Sequence, residues 1–212
     1  MKLFKFVFAL IAFASLFACE PKVSFTEPQP AGIDKLSKFP KLLQGEYLSL
    51  DDNSVLIVEE KLIQHINDFE SKIHSSEVDS SLKISGDLIT DVENNVSYPF
   101  KRDGDSLIIS VHQIDTLINL NIKDIAKKYK GYYFLNKFYD DAKWEVKKIE
   151  LSKGELTLSS ISSEEDINNL KTITESPQDS VAPYKFTPTK KQFKEFVKSG
   201  GFKQGKKFVK KK

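Results

Sequence analysis

From Gly45 onward, turn signals break the chain at intervals too short for a set of packed helices. Tyr47 to Leu50 meets Asp51-Asp52-Asn53-Ser54, then Val55 to Val58. Leu82-Lys83-Ile84 meets Ser85-Gly86-Asp87, then Leu88-Ile89-Thr90. Tyr98-Pro99-Phe100 runs through Asp103-Gly104-Asp105 into Leu107 to Val111. Trp144, Val146, Ile149 and Leu151 lead to Ser152-Lys153-Gly154, then Leu156, Leu158 and Ile161. β-Branched and aromatic runs separated by Gly, Asp, Asn and Ser are the pattern of consecutive hairpins. The expected fold is mainly β: an antiparallel meander, small barrel or sandwich, with one or two short helices near the C-terminus.

Two segments compete with that reading. Leu62, Ile66, Phe69 and Ile73 have helical spacing, but Val55 to Val58 runs into them without Gly, Pro or a good cap, which favours strand. Residues 121–130 admit a short helix before a strand at 131–138. The C-terminal helices carry clearer signals. Ser163 with Asp166 resembles a capping box before Ile167 and Leu170. Thr189 with Gln192 is a second, before Phe193, Phe196 and Val197, and Gly200-Gly201 ends it.

The N-terminus constrains function more than fold. Lys2 and Lys5 precede an apolar run from Phe6 to Phe17, too short to span a bilayer as a helix. It ends in Leu16-Phe17-Ala18-Cys19, which resembles the lipobox of bacterial lipoproteins, with Phe17 where a small or hydroxylated residue is usual. The resemblance implies that residues 1–18 are an export signal and that Cys19 is lipidated and becomes the mature N-terminus. It implies a cell-envelope protein held in the membrane by lipid on Cys19. In lipoproteins that the chain resembles, Asp after the cysteine goes with inner-membrane retention, so with Glu20 there the resemblance implies the outer membrane. Cys19 is the only cysteine, so a lipidated chain has no disulfide and no thiolate site.

Residues 19–40 read as a lipidated tether punctuated by Pro21, Pro28, Pro30 and Pro40. Residues 41–172 form the β-rich body, and 173–212 a Pro-containing loop, short helix and basic tail. Gly45-Glu46-Tyr47 and Gly131-Tyr132-Tyr133 both place Gly-x-Tyr at a strand head, which suggests a two-fold repeat of 41–125 and 126–172. Gly-x-aromatic at the head of a meander also resembles the start of lipocalin-type barrels.

Charge is unevenly placed. From Tyr184 to Lys212 there are 11 lysines and one acid, whereas residues 20–183 carry 19 basic and 29 acidic side chains. Lys203, Lys206, Lys207, Lys210, Lys211 and Lys212 are therefore expected either to form a mobile patch that meets anionic lipid or an acidic partner, or to fold back on the acidic body. The tail has no arginine, which argues against nucleic acid.

Catalytic signals are sparse. His65, His74 and His112 lack metal-ligand spacing. Asp51-Asp52, Asp103-Asp105 and Asp140-Asp141 sit in expected turns, where Asp serves the local backbone. Gly200 to Lys206 has P-loop spacing, but Lys207 follows where Ser or Thr is needed, and too little chain remains for a helix. The reading is a non-catalytic binding or assembly module with no cofactor and an unknown ligand. The alternatives are a hydrolase without a recognisable motif, or a structural lipoprotein packed on another envelope protein.

Overall fold

The structure is a computed structural model that describes residues 21–140, 143–175 and 182–211. It is mainly β, as expected. Strands β1 (Val23–Phe25), β2 (Gly45–Ser49), β3 (Val55–Val58), β4 (Leu62–His74), β5 (Leu82–Ser85), β6 (Leu88–Asp91), β7 (Val96–Asp103) and β8 (Ser106–Asn119) form the first part. They are followed by β9 (Ile125–Tyr129), β10 (Tyr132–Asp140), β11 (Lys143–Ser152) and β12 (Glu155–Ser160). Helix α1 (Glu164–Thr174), β13 (Tyr184–Phe186), α2 (Lys190–Lys198) and β14 (Gln204–Lys210) complete it.

One sheet of 14 strands, not closed into a barrel, takes in every strand. β2–β3–β4 and β9–β10–β11–β12 are two antiparallel meanders. β14 lies between β12 and β2 and joins them. Only β1 with β13 pairs in parallel among the described strands. The tight turns follow from residues that tolerate a left-handed backbone: Lys130-Gly131 between β9 and β10, and Lys153-Gly154 between β11 and β12, have positive φ at both positions, the geometry that suits a two-residue hairpin.

Side-chain alternation sorts the apolar residues into three cores. Tyr47, Leu56, Ile63, Tyr133, Leu135, Ile149, Leu156 and Phe208 form one cluster on one side of the sheet. On the opposite face of β10 and β11, Phe134 and Val146 meet Phe25, Leu170, Phe193, Phe196 and Phe202. β10 is therefore buried on both faces, and Tyr133 to Asn136 form an unbroken buried run. A third, small core of Ile89, Phe100 and Leu107 lies under β5, β6 and β7. These strands form a wing on the far ends of β4 and β8.

Some local expectations hold and others are corrected. Residues 62–74 are strand rather than helix, as preferred, and burial there does not follow the helical stripe: Ile63 is inside whereas Phe69 is 43% exposed. Residues 121–130 form a turn and then β9 instead of a short helix. α2 has the full Thr189–Gln192 capping box. α1 has only half of its box: Ser163 accepts from Asp166 N, but the Asp166 carboxylate turns inward and accepts from Lys203 N at 3.1 Å.

The described part of the tether, from Pro21 to Pro40, is built into the body. Val23, Phe25 and Phe39 are buried. The segment is clasped by polar groups from the second meander. Lys127 Nζ donates to the carbonyls of Pro28 at 2.7 Å and Pro30 at 2.9 Å. Burial lowers the Lys127 pKa from its usual value.

Candidate functional site

The side of the sheet that carries the first core turns polar beside His65. Along β4, Ile63 lies in the apolar core and His65, two residues on, points the same way. Its ladder partners are Leu56 on β3 and Asp115 on β8. Across from it, β14 presents Lys206 two residues before buried Phe208. The β2–β3 loop closes over both.

That loop supplies the centre of the cluster. Asp52 and Ser54 form a local turn in which Ser54 N donates to Asp52 Oδ1 at 3.2 Å. Ser54 Oγ also donates to Asp52 Oδ1, at 2.7 Å. Lys206 Nζ donates to Asp52 Oδ2 at 2.6 Å and to Ser54 Oγ at 2.8 Å. His65 Nε2 lies 2.9 Å from Ser54 Oγ. A hydroxyl has one proton and two lone pairs. With the proton given to Asp52 and one lone pair facing Lys206, the network assigns Nε2–H as donor to the other.

Charge follows this geometry. The hydrogen bond from Lys206, with those from Ser54 and Ser49, holds the Asp52 carboxyl far below the usual carboxylate range. Burial, and then the Lys206 charge, lower the His65 pKa, although Asp115 and Asp52 pull the other way. The His65 ring also meets Phe208 edge to face, with centroids 6.0 Å apart.

The cluster borders an open cleft of about 470 Å³ whose lining includes Asp52, Lys147, Leu158, Ser159, Gly205 and Lys206. Lys147 Nζ donates to Glu145 Oε1 at 2.5 Å. Gly205 lets β14 lie close to β12, because a Cβ there would meet Ser159 Oγ at 2.7 Å and Thr157 Cγ2 at 2.9 Å. The cleft thus carries two ammonium groups, each paired with a carboxylate. It can offer hydrogen bonds and balanced charge to a polar ligand.

Lys206, Lys207 and Lys210 of the basic tail lie in β14, which has a ladder to β12 along most of its length and to β2 from Phe208 to Lys210. Lysines of the tail reach carboxylates of the body: Lys203 to Glu165, Lys206 to Asp52, Lys207 to Glu155 at 3.1 Å and Lys211 to Glu46 at 3.2 Å. Lys210 Nζ donates to Gln44 O at 2.6 Å. The P-loop spacing at 200–207 runs from the end of α2 into β14, so no helix follows it. Lys212 and Cys19 lie outside the described residues.

The three histidines are apart. His74 caps the short 3-10 turn at Ser75–Glu77, and His112 pairs with Asp68 on the exposed ribbon at 2.5 Å. Asp103 and Asp105 flank the turn at Gly104, while Asp141 lies outside the described residues. Among the described residues no group of His, Cys, Asp or Glu is placed to hold a metal. Sequence reasoning missed the Ser54–His65–Lys206 contact. The Asp-x-Ser turn and the odd-numbered parity of Ile63 and His65 were its local signals, but Lys206 is 152 positions from Ser54.

Comparison with family models, with curated proteins and with solved structures finds no match for this chain.

Proposed function

We propose that this protein is a lipid-anchored lipoprotein of the bacterial cell envelope, on the outer membrane, and that its β body is a non-catalytic binding or assembly module. The observation that carries the reading is Leu16-Phe17-Ala18-Cys19 at the end of a charged and then apolar leader. Two or three acyl chains on Cys19 anchor far more firmly than one, at roughly 0.8 kcal/mol per buried CH₂. The body then works beside a membrane without needing a spanning segment. No helix among the described residues is long and apolar enough to span one.

The binding reading is supported by the cleft beside Lys147 and Lys206. Its polar groups already satisfy one another, which suits a rigid recognition surface better than a reacting centre. Ser54 is 2% exposed and its hydroxyl has partners in all three directions.

Metabolic labelling with an alkynyl fatty acid tests the anchor. Wild type should incorporate the label and fractionate with outer membranes, while Cys19→Ala should do neither. Equal labelling of the two would defeat the proposal.

One observation favours a hydrolase instead: the 2.9 Å contact between Ser54 and His65. A fluorophosphonate probe separates the readings. Covalent labelling of Ser54, lost in His65→Gln, would establish a nucleophile. The binding-module reading predicts none.

A further inference from the structure

The wing contains a fork between two strands. β7 and β8 leave the Gly104-Asp105 turn paired, from Asp103↔Ser106 to Phe100↔Ile109. The closing pair of a two-residue hairpin exchanges hydrogen bonds, and every second residue repeats that orientation. Ser106 and Ile108 therefore aim N–H and C=O at β7, and the next rung would join Ser110 to Pro99. Proline has no N–H, and pairing stops there. β7 instead stays with β6 as far as Val96↔Asp91. The alternation checks at both ends: Phe100 N donates to Asp87 O at 3.0 Å, away from β8, and Thr116 O accepts from Lys137 Nζ at 2.8 Å, away from β4.

Ser110, His112 and Ile114 consequently turn N–H and C=O to an edge with no strand partner among the described residues. The fork borders an open groove of about 680 Å³, with Phe69, Val96, Tyr98 and Val111 as apolar lining and Asp68 and Glu70 as acidic lining. Ile114 beside it is 50% exposed. Residues 62–119 carry ten acids and four bases.

We propose that the free edge of β8 from Ser110 to Ile114 is a docking strand for an extended segment of a partner protein in which apolar and basic residues alternate. Strand addition uses main-chain hydrogen bonds for affinity and alternate side chains for specificity. The apolar positions would enter the fork and the basic ones would meet Asp68 and Glu70. The net charge of −6 on residues 62–119 favours a basic segment and opposes a second copy of the same edge. This deepens the binding-module reading and rests on it, but it does not depend on the lipid.

The test is calorimetry with the full chain in nonionic detergent. The probe is a capped heptapeptide of alternating Lys and Val, with a Glu and Val peptide as control. The Lys peptide should bind, more weakly at high salt, and the Glu peptide should not. Ile114→Pro removes a free-edge N–H and spares the ladder to β4, so it should weaken binding about fivefold, the loss of roughly one hydrogen bond. Glu70→Lys, at an exposed position, should weaken binding without shifting thermal unfolding, and decides the matter if the proline variant misfolds. Binding unchanged in both variants overturns the β8 site but leaves a binding module. No peptide binding at all overturns the docking strand, and lipid labelling still judges the lipoprotein reading separately. Dimerisation of the free protein that is lost in Ile114→Pro would overturn the proposal in favour of a second copy.

Discussion

Asn136 pairs its side-chain amide with the backbone of Gln29 in both directions. Gln29 N donates to Oδ1 at 2.6 Å, and Nδ2 donates to Gln29 O at 2.9 Å. Both residues are fully buried. The side chain thus supplies what a neighbouring strand would, and holds a proline-flanked segment that cannot form a ladder of its own. Asn136→Ala should leave two buried groups unpaired. At roughly 1–3 kcal/mol for each orphaned group, the expected loss is about 2–6 kcal/mol. Urea unfolding measures it, and an unchanged midpoint would refute the clasp.

The C-terminal strand should matter to stability through its one apolar anchor, not through its charges. Phe208 is fully buried between the two meanders, so Phe208→Ala should cost about 3–5 kcal/mol. Lys211→Ala removes an exposed ion pair with Glu46 and should cost under about 1 kcal/mol. Comparable losses from the two would mean that charge pairing, not burial, seats β14.

Gly205→Ala tests the close approach of β14 to β12 at the cleft. The new methyl group meets Ser159 and Thr157 below van der Waals contact, and overpacking of this kind costs about 1–3 kcal/mol. Thermal unfolding should shift down. A neutral substitution would show that the strands part easily there.

Most of the sheet was legible because its signals are local. The turn at Lys153-Gly154 and the caps at Ser163 and Thr189 each involve residues within four positions. Other features depend on distant partners. The prolines between Pro21 and Pro40 read as a linker because the groups that bury this segment, Lys127 and Asn136, lie about 100 positions away. Lys203 to Lys211 reads as a solvated tail because lysine is rarely central in a sheet. Here Lys206 and Lys210 extend their ammonium groups to Asp52 and the Gln44 carbonyl while Phe208 between them fills the core. The candidate cluster was illegible for the same reason: Asp52, Ser54 and His65 are near in sequence, and Lys206 is not.

Acidification should weaken the fold through His65. Its pKa is lowered in the folded protein by burial and by Lys206. The unfolded chain therefore binds the proton more readily, and stability falls as pH drops below the ordinary histidine value of about 6.5. Asp52 acts in a different window. Its folded pKa is depressed, so its contribution is present above the ordinary aspartate range, near pH 4, and is lost below it. Urea midpoints at pH 7.5 and 5.5 isolate the histidine. Wild type should lose stability between them and His65→Gln should lose less. Equal losses would remove His65 as the cause.

The central claim is that Cys19 is the lipidated first residue of the mature protein. Mass spectrometry of the N-terminal peptide, from protein extracted from the membranes of a bacterium that processes lipoproteins, tests it most directly. The account predicts a peptide that begins at Cys19 and carries a thioether-linked diacylglyceryl group. A mature peptide with a free Cys19 thiol, or one that begins elsewhere, would contradict it.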